Sequence, residues 1–422
     1  MTRKLINLIL ALSMLLVFVP IAAAAPPAQA KGQDYTVVKD DSLSKLAEKY
    51  LGSLLAYPAI VELTNQKAAT DASYAKILNP NLIEPGWKLY IPSADEAKTY
   101  LASYEQIGTK AHPIKVLFVP SVEVNVIVSG GKVMADALNQ ATGLNFDVKV
   151  ATSYAATIEE MCASPTDTMG FIPGLGYVLA NARCGVDVAF KAVRFGNDWY
   201  AAEYVVLRDS PIKTLKDLNG KKWAYPDAAS TSGFLYPTAQ MQQEGIKPGE
   251  SFAAGGHPQA VLAVLQGKAD FATVFFSPPL KPQGQPAWKW GDPADISDDL
   301  VKDCRVSEDG KKLLCGDWTV LDARQAVRAD APDVIQKVRI LALTAQMPND
   351  TISFSPNFPF TLRTQIVDAL TAFSKTPEWG KSLGSQDFYG WTGIAPAVDA
   401  DYAPIRAGVA ATGYKLEDIG KK

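Results

Sequence analysis

From Ile114 onward, short β-prone runs alternate with helical stretches, and this alternation limits the chain to layered α/β architectures. Lys115–Val119, Phe146–Val150 and Met169–Ile172 read as buried strands, with Ala155–Met161 as a helix before the third. Ala201–Leu207 is β-rich, Ser210–Leu218 makes a turn and a short helix, and Lys222–Tyr225 is a further strand. Such alternation predicts parallel-type sheets flanked by helices, with ligands at the carboxyl ends of the strands. Roughly 300 residues exceed what a single core holds, so two lobes with a hinge and a ligand cleft between them are expected.

Composition agrees with a folded chain: of 422 residues, 48% are hydrophobic and 20% charged. A net charge of −3 lacks the basic excess of a nucleic-acid binder. With two histidines, four scattered cysteines and no HExxH or CxxC, neither a metal centre nor another cofactor is expected. Residues 1–30 read as a secretory signal: Arg3 and Lys4, an apolar run from Leu5 to Ile21, then Ala28-Gln29-Ala30 as a cleavage triplet. An uncleaved anchor is the alternative. No cysteine lies at the cleavage site, so an exported protein, periplasmic or extracellular, without a lipid anchor is expected. In an oxidising compartment the cysteines pair, and proximity favours Cys162–Cys184 and Cys304–Cys315, the latter closing over Asp309-Gly310.

Residues 35–92 form a separate block. Tyr35–Val38 is β-prone, Asp41-Ser42 offers a cap, and Leu43, Leu46, Ala47 and Tyr50 fall at helical spacing up to Gly52. A second helix runs from about Pro58 to Asn65, and Pro85-Gly86 turns into the strand Lys88–Pro92. The stretches YTVVKDDSLSKLAEKY, AIVELTN and NPNLIEPGWKLYIP resemble a LysM module, a small βααβ domain. Asp40 stands where such modules usually carry glycine, and the loop Gln66–Lys76 is longer than usual. The resemblance implies binding to N-acetylglucosamine-containing glycans such as peptidoglycan, with Asp41, Ser42 and Leu43 facing Asn81, Leu82, Ile83 and Glu84. An ordinary core role for Leu43 and Ile83 is the competing reading. Residues 93–112 read as a linker helix that holds the two parts apart.

Three features point into the expected cleft. Ser230-Thr231-Ser232-Gly233 follows a strand and opens a helix, where free amides, the positive dipole end and hydroxyls suit an oxyanion. A plain N-cap would need only one such residue. Gly255-Gly256-His257-Pro258 opens the helix Gln259–Leu265, so His257 sits at a helix start where a neutral imidazole can donate one hydrogen bond. Met347-Pro348-Asn349-Asp350 follows the strand Arg339–Leu343; Asp350 is either a turn residue or an acceptor for a ligand proton or amine.

The stretches PDAASTSGFLYPTAQM, GGHPQAVLAVLQGKADFATV, MPNDTISF and DADYAPIR resemble the phosphate/phosphite/phosphonate-binding proteins of ABC importers, in the type II periplasmic-binding-protein class. The resemblance implies a two-lobed fold that captures a phosphorus oxyanion without making or breaking bonds. It assigns the ligand's oxygens to Tyr154, Ser230, Thr231, Ser232, Gly233 and His257, with Asp350 as the acid after the last crossover. Ile172 stands where a tyrosine is frequent in the family and Ser277 where a second carboxylate is found. A small or uncharged substituent therefore suits the pocket better than an aminoalkylphosphonate. The implied organisation is 113–207 plus 348–410 for one lobe and 208–347 for the other, with an insertion at 277–318 and crossings near Leu207-Arg208 and Thr344–Pro348. A monomer is expected, with an ABC permease and ATPase as partners and peptidoglycan as the anchor. A wall-bound sensor, or less readily a LysM-bearing wall hydrolase, remains open.

Overall fold

The computed structural model describes residues 31–415; the expected signal segment, residues 1–30, lies outside the described residues. The small N-terminal block is built in the order β1 (Gln33–Thr36), α1 (Leu43–Leu51), α2 (Tyr57–Ala68) and β2 (Lys88–Ile91), with β1 and β2 antiparallel. Ser42, rather than Asp41, caps α1 by accepting the Lys45 amide at 3.3 Å, and Gly52 ends it in the left-handed conformation. Asp40 has φ +68°, so the position where related modules carry glycine keeps glycine's backbone. Leu43, Leu46, Ala47, Ile60 and Leu89 make its core.

Helix α3 (Ala94–Tyr104) begins in a capping box between Ser93 and Glu96. It does not hold the two parts apart. Helix α2 rests against a helix of the larger part: the Glu62 carboxyl oxygen accepts the amide of Phe360, Tyr104 and Thr361 share a hydrogen bond, and Phe360 joins the small core. That larger helix starts after Pro359 with no side-chain cap of its own, so Glu62 satisfies one of its orphan amides. This cap bond and the shared apolar packing outweigh the reach of a short spacer.

The larger part is two six-stranded sheets flanked by helices. In one, β3 (Ile114–Phe118), β4 (Phe146–Val150) and β5 (Thr168–Ile172) are parallel, while β16 (Thr351–Phe354), β6 (Asp187–Val193) and β17 (Gly393–Pro396) run antiparallel. Helices α4 (Val124–Thr142), α5 (Tyr154–Ala163), α6 (Gly174–Cys184) and the later Phe360–Phe373 cover it. The other sheet orders β14 (Val338–Leu343), β7 (Trp199–Leu207), β10 (Phe271–Phe276), β8 (Trp223–Tyr225) and β9 (Ser251–Ala253), with β15 (Met347–Pro348) on β7. The sheets are thus mixed: β16 and β7, the strands that arrive from the other lobe, run opposite to the β–α strands they join.

Strand β7 pairs with β10 and β14, so the first crossing falls at residues 194–198 and not at Leu207-Arg208. The reason is a tight turn, Arg194-Phe195-Gly196-Asn197, closed by bonds in both directions between Arg194 and Asn197. Phe195 (φ +52°) and Gly196 (φ +84°) both occupy the positive-φ region that a type I′ turn requires. The return crossing lies at Asn349-Asp350, between β15 and β16. Segment 277–318 is no appendage. Trp288 packs against Phe276 and Trp199, and a three-stranded sheet at 304–320 closes the lobe's core. Both expected disulfides are formed, Cys162–Cys184 and Cys304–Cys315. Among the described residues no helix is long and apolar enough to cross a membrane.

Candidate functional site

Where the two lobes meet, both crossings and both sheet ends converge on a cavity of about 60 Å³. That is several times the roughly 10–15 Å³ a water molecule needs, so a small ligand of a few heavy atoms fits. The lobes are bonded together around it. The Leu175 amide donates to Thr231 Oγ1 at 2.8 Å, Gln259 Nε2 to Glu123 Oε1 at 2.9 Å, and the His257 amide to the Ser121 carbonyl at 3.4 Å.

Ser230-Thr231-Ser232-Gly233 opens a wide first turn that runs into α7 (Tyr236–Gln243). Ser230 accepts the Gly233 amide on its hydroxyl at 3.0 Å, and its carbonyl takes the amides of Phe234 and Leu235. The amides of Thr231 and Ser232 stay outside the helix's own bonding, at the positive end of its dipole. Ser230 and Ser232 line the cavity. Thr231 and Gly233 do not. Thr231 is fully buried and latches the opposite lobe through Leu175, and the Gly233 amide is spent on Ser230. Gly233 is there for space: a β-carbon would lie 2.3 Å from Pro226 Cδ.

His257 is the first residue of α8 (His257–Leu265), after the N-cap Gly256. Its Nδ1 accepts the Phe275 amide at 3.2 Å, which makes Nε2 the protonated nitrogen of a ring that lines the cavity. Burial, with Arg194 nearby, pulls its pKa down to about 3, so the ring is a neutral donor at any physiological pH. Tyr154, at the start of α5, lines the same cavity, and burial holds its hydroxyl protonated.

Asp350 reaches the cavity from the return crossing, and its Oδ2 accepts Arg194 Nη2 at 2.7 Å. Burial raises its pKa, and the Arg194 guanidinium opposes that rise. Arg194 was not recognised from sequence. Its only signal is a charge that closes the alternating strand β6 just before Phe-Gly. Ser121 and Tyr389 were missed too; their hydroxyls face one another at the cavity without a well-aligned bond between them. Nothing local marks either one. Ile172 and Ser277 also line the wall, and among the described residues that line it Asp350 is the only acid.

In the small domain, Asp41 accepts the Tyr35 hydroxyl at 2.8 Å and the Val38 amide at 2.9 Å with one oxygen. Leu43 is buried to 1% exposure, so it serves the core and offers no surface to a sugar. Ile83 packs partly against that core, while Asn81 and Leu82 are exposed.

The family model described as "ABC transporter, phosphonate, periplasmic substrate-binding protein" matches residues 116–402, and a LysM domain model matches residues 35–92. The phosphate-import protein PhnD of Mycolicibacterium smegmatis is 34% identical over 152 residues, 33% of this chain and 47% of that protein. The phosphonates-binding periplasmic protein of Escherichia coli is 22% identical over 277 residues, 64% of this chain and 68% of that one. The alignment thus spans about half the length of the first relative. Among solved structures, PhnD1 from Prochlorococcus marinus in complex with methylphosphonate superposes with a TM-score of 0.53 at 13% identity, over 71% of this chain and 98% of that one. A binding-protein component of a phosphonate ABC transporter from Pseudomonas aeruginosa gives 0.52 at 16% identity, over 71% and 87%. At these identities the superpositions speak for the fold.

Proposed function

This chain belongs to the periplasmic substrate-binding proteins of phosphonate ABC transporters and carries a LysM domain, and on that footing we propose that it captures a small phosphorus oxyanion between its lobes and delivers it to an importer from the cell wall. The cavity between the lobes carries the reading. It gathers Ser230, Ser232, Tyr154, the neutral Nε2–H of His257 and the Arg194 guanidinium around a space for a few heavy atoms. Donors fixed in a closed cleft bind an oxyanion well, and they penalise any ligand that leaves them unpaired.

In the open state the lobes admit the anion; closure buries it and forms the inter-lobe bonds of Thr231 and Gln259. A permease then docks the closed form, and an ATPase drives release. The crossings at 194–198 and 349–350 are the proposed hinge. Peptidoglycan binding through the exposed Asn81–Leu82 edge holds the carrier at the wall. Titration calorimetry of the purified protein with phosphate, phosphite and methylphosphonate tests the capture step. A folded sample that binds none of the three refutes it.

A further inference from the structure

Between the LysM domain and the body lies a second, larger cleft of about 570 Å³, inside the roughly 300–1,000 Å³ range of small-molecule sites. Both parts build it. The LysM domain contributes Glu62 and Gln66 of α2 and the run Lys76-Ile77-Leu78. The body contributes the start of β6, the loop at 355–358 and the first turns of the helix Phe360–Phe373. Asn65 fixes the LysM wall: its Oδ1 accepts the Ile77 amide at 2.7 Å and its Nδ2 donates to the Ile77 carbonyl at 3.0 Å.

The cleft is close to electrically balanced. Arg363 donates to Asp187 Oδ2 at 2.6 Å and to the Val188 carbonyl at 2.8 Å, so these two charges cancel. Glu62 is engaged by the Phe360 amide and burial raises its pKa to about 8, while Lys76 lies near Asp399. What is left for a ligand is amide and apolar surface. The side chains of Gln66 and Asn357 make no hydrogen bond to any described residue, Phe360 is half-buried, and Leu78 is 68% exposed. Neutral donors and acceptors beside apolar ledges match the hydroxyls, acetamido groups and ring faces of a sugar better than they match a fixed charge.

The groove implied by the LysM resemblance is short of one wall. Asp41 is spent on Tyr35 and Val38, Ser42 on the Lys45 amide, and Leu43 on the core. Its open edge, Asn81–Leu82, continues the chain segment that lines the cleft at Leu78. We propose that the cleft between the LysM domain and the body binds an N-acetylated oligosaccharide, extending the glycan edge at Asn81–Leu82 onto Gln66, Asn357 and Phe360. The inference rests on the LysM reading above and gives its site a second half on the body. A sugar held across the joint also favours the docked arrangement of the two parts, because it binds only when both walls are present.

The test is calorimetry and amide hydrogen exchange on the full chain with the linear tetramer of N-acetylglucosamine. Binding should slow exchange at 355–364 in the body as well as at 66–82 in the LysM domain. Asn357→Ala, an exposed body residue, should weaken tetramer binding by about 2- to 10-fold, the loss of one neutral hydrogen bond, with the melting temperature unchanged. Protection confined to the LysM domain overturns the inference and leaves the LysM reading standing, as does wild-type affinity in the Asn357 variant. Exchange in the wild-type protein alone decides this if the variant is unstable. A folded protein that does not bind the tetramer removes the LysM glycan reading and this inference with it.

Discussion

Replacing Gly233 with alanine tests whether the Ser230 turn must sit where it does. The added β-carbon would meet Pro226 Cδ at 2.3 Å, Pro226 Cγ at 2.7 Å and Ser230 Oγ at 2.9 Å. Carbon atoms in good contact lie about 3.5–4.0 Å apart, so something must move by roughly 1 Å. Pro226 is a closed ring next to β8 and cannot rotate aside, which leaves the turn to give way. Overpacking of this kind costs about 1–3 kcal/mol of stability. The same shift withdraws Ser230 and Ser232 from the cavity. Losing one hydrogen bond to a charged ligand costs about 1.5–3 kcal/mol, which is roughly 10- to 150-fold in Kd. Gly233→Ala should therefore lower the melting temperature and weaken phosphate or methylphosphonate binding together, as read by calorimetry and thermal unfolding. Gly380→Ala is the control, because a β-carbon there meets nothing within 4 Å. Wild-type affinity in the Gly233 variant would show that this turn does not hold the ligand.

Three further expectations follow from other parts of the molecule. Cys162→Ser with Cys184→Ser opens a 22-residue loop and should destabilise the protein by about 3 kcal/mol, seen as a lower urea midpoint, with binding preserved in the fraction still folded. Burial raises the Glu62 carboxyl to about 8, above its ordinary 4.5, so the folded chain holds an extra proton and loses stability as pH climbs through that interval. Glu62→Gln should flatten that decline, which is worth at most on the order of 3 kcal/mol at pH 7; an unchanged pH profile of thermal unfolding rejects the assignment. His257→Ala should weaken oxyanion binding by about 10- to 100-fold. The deficit should be equal at pH 5 and pH 7, since the imidazole is neutral at both; a deficit that grows toward pH 5 would mean the ring is charged when it binds.

What could be read from sequence was whatever local chemistry determines. Ser42 and Gly52 bracket α1, the proline at the second position of α8 puts His257 at a helix start, and Cys304 and Cys315 pair across a short hairpin. Each of these signals lies within about a dozen residues. The strand alternation likewise located most of the sheet-forming runs. What stayed hidden depends on distant partners. Strand β7 joined the second sheet because a turn with Phe195 at positive φ reverses the chain, and phenylalanine is not a residue that announces such a turn. Arg194 and Asp350 are 156 residues apart, so neither advertises the other. Thr231 looked like its serine neighbours but faces Leu175 of the other lobe, a distinction that only packing makes.

The contact between the small domain and the body has a mechanical consequence. Glu62, Tyr104 and Phe360 fasten the LysM domain to the helix Phe360–Phe373, which covers the sheet containing β3 and β5. A tether gripping that half fixes the door frame and leaves the leaf to swing. Strain from the wall would then bypass the hinge, and the carrier could open and shut while moored.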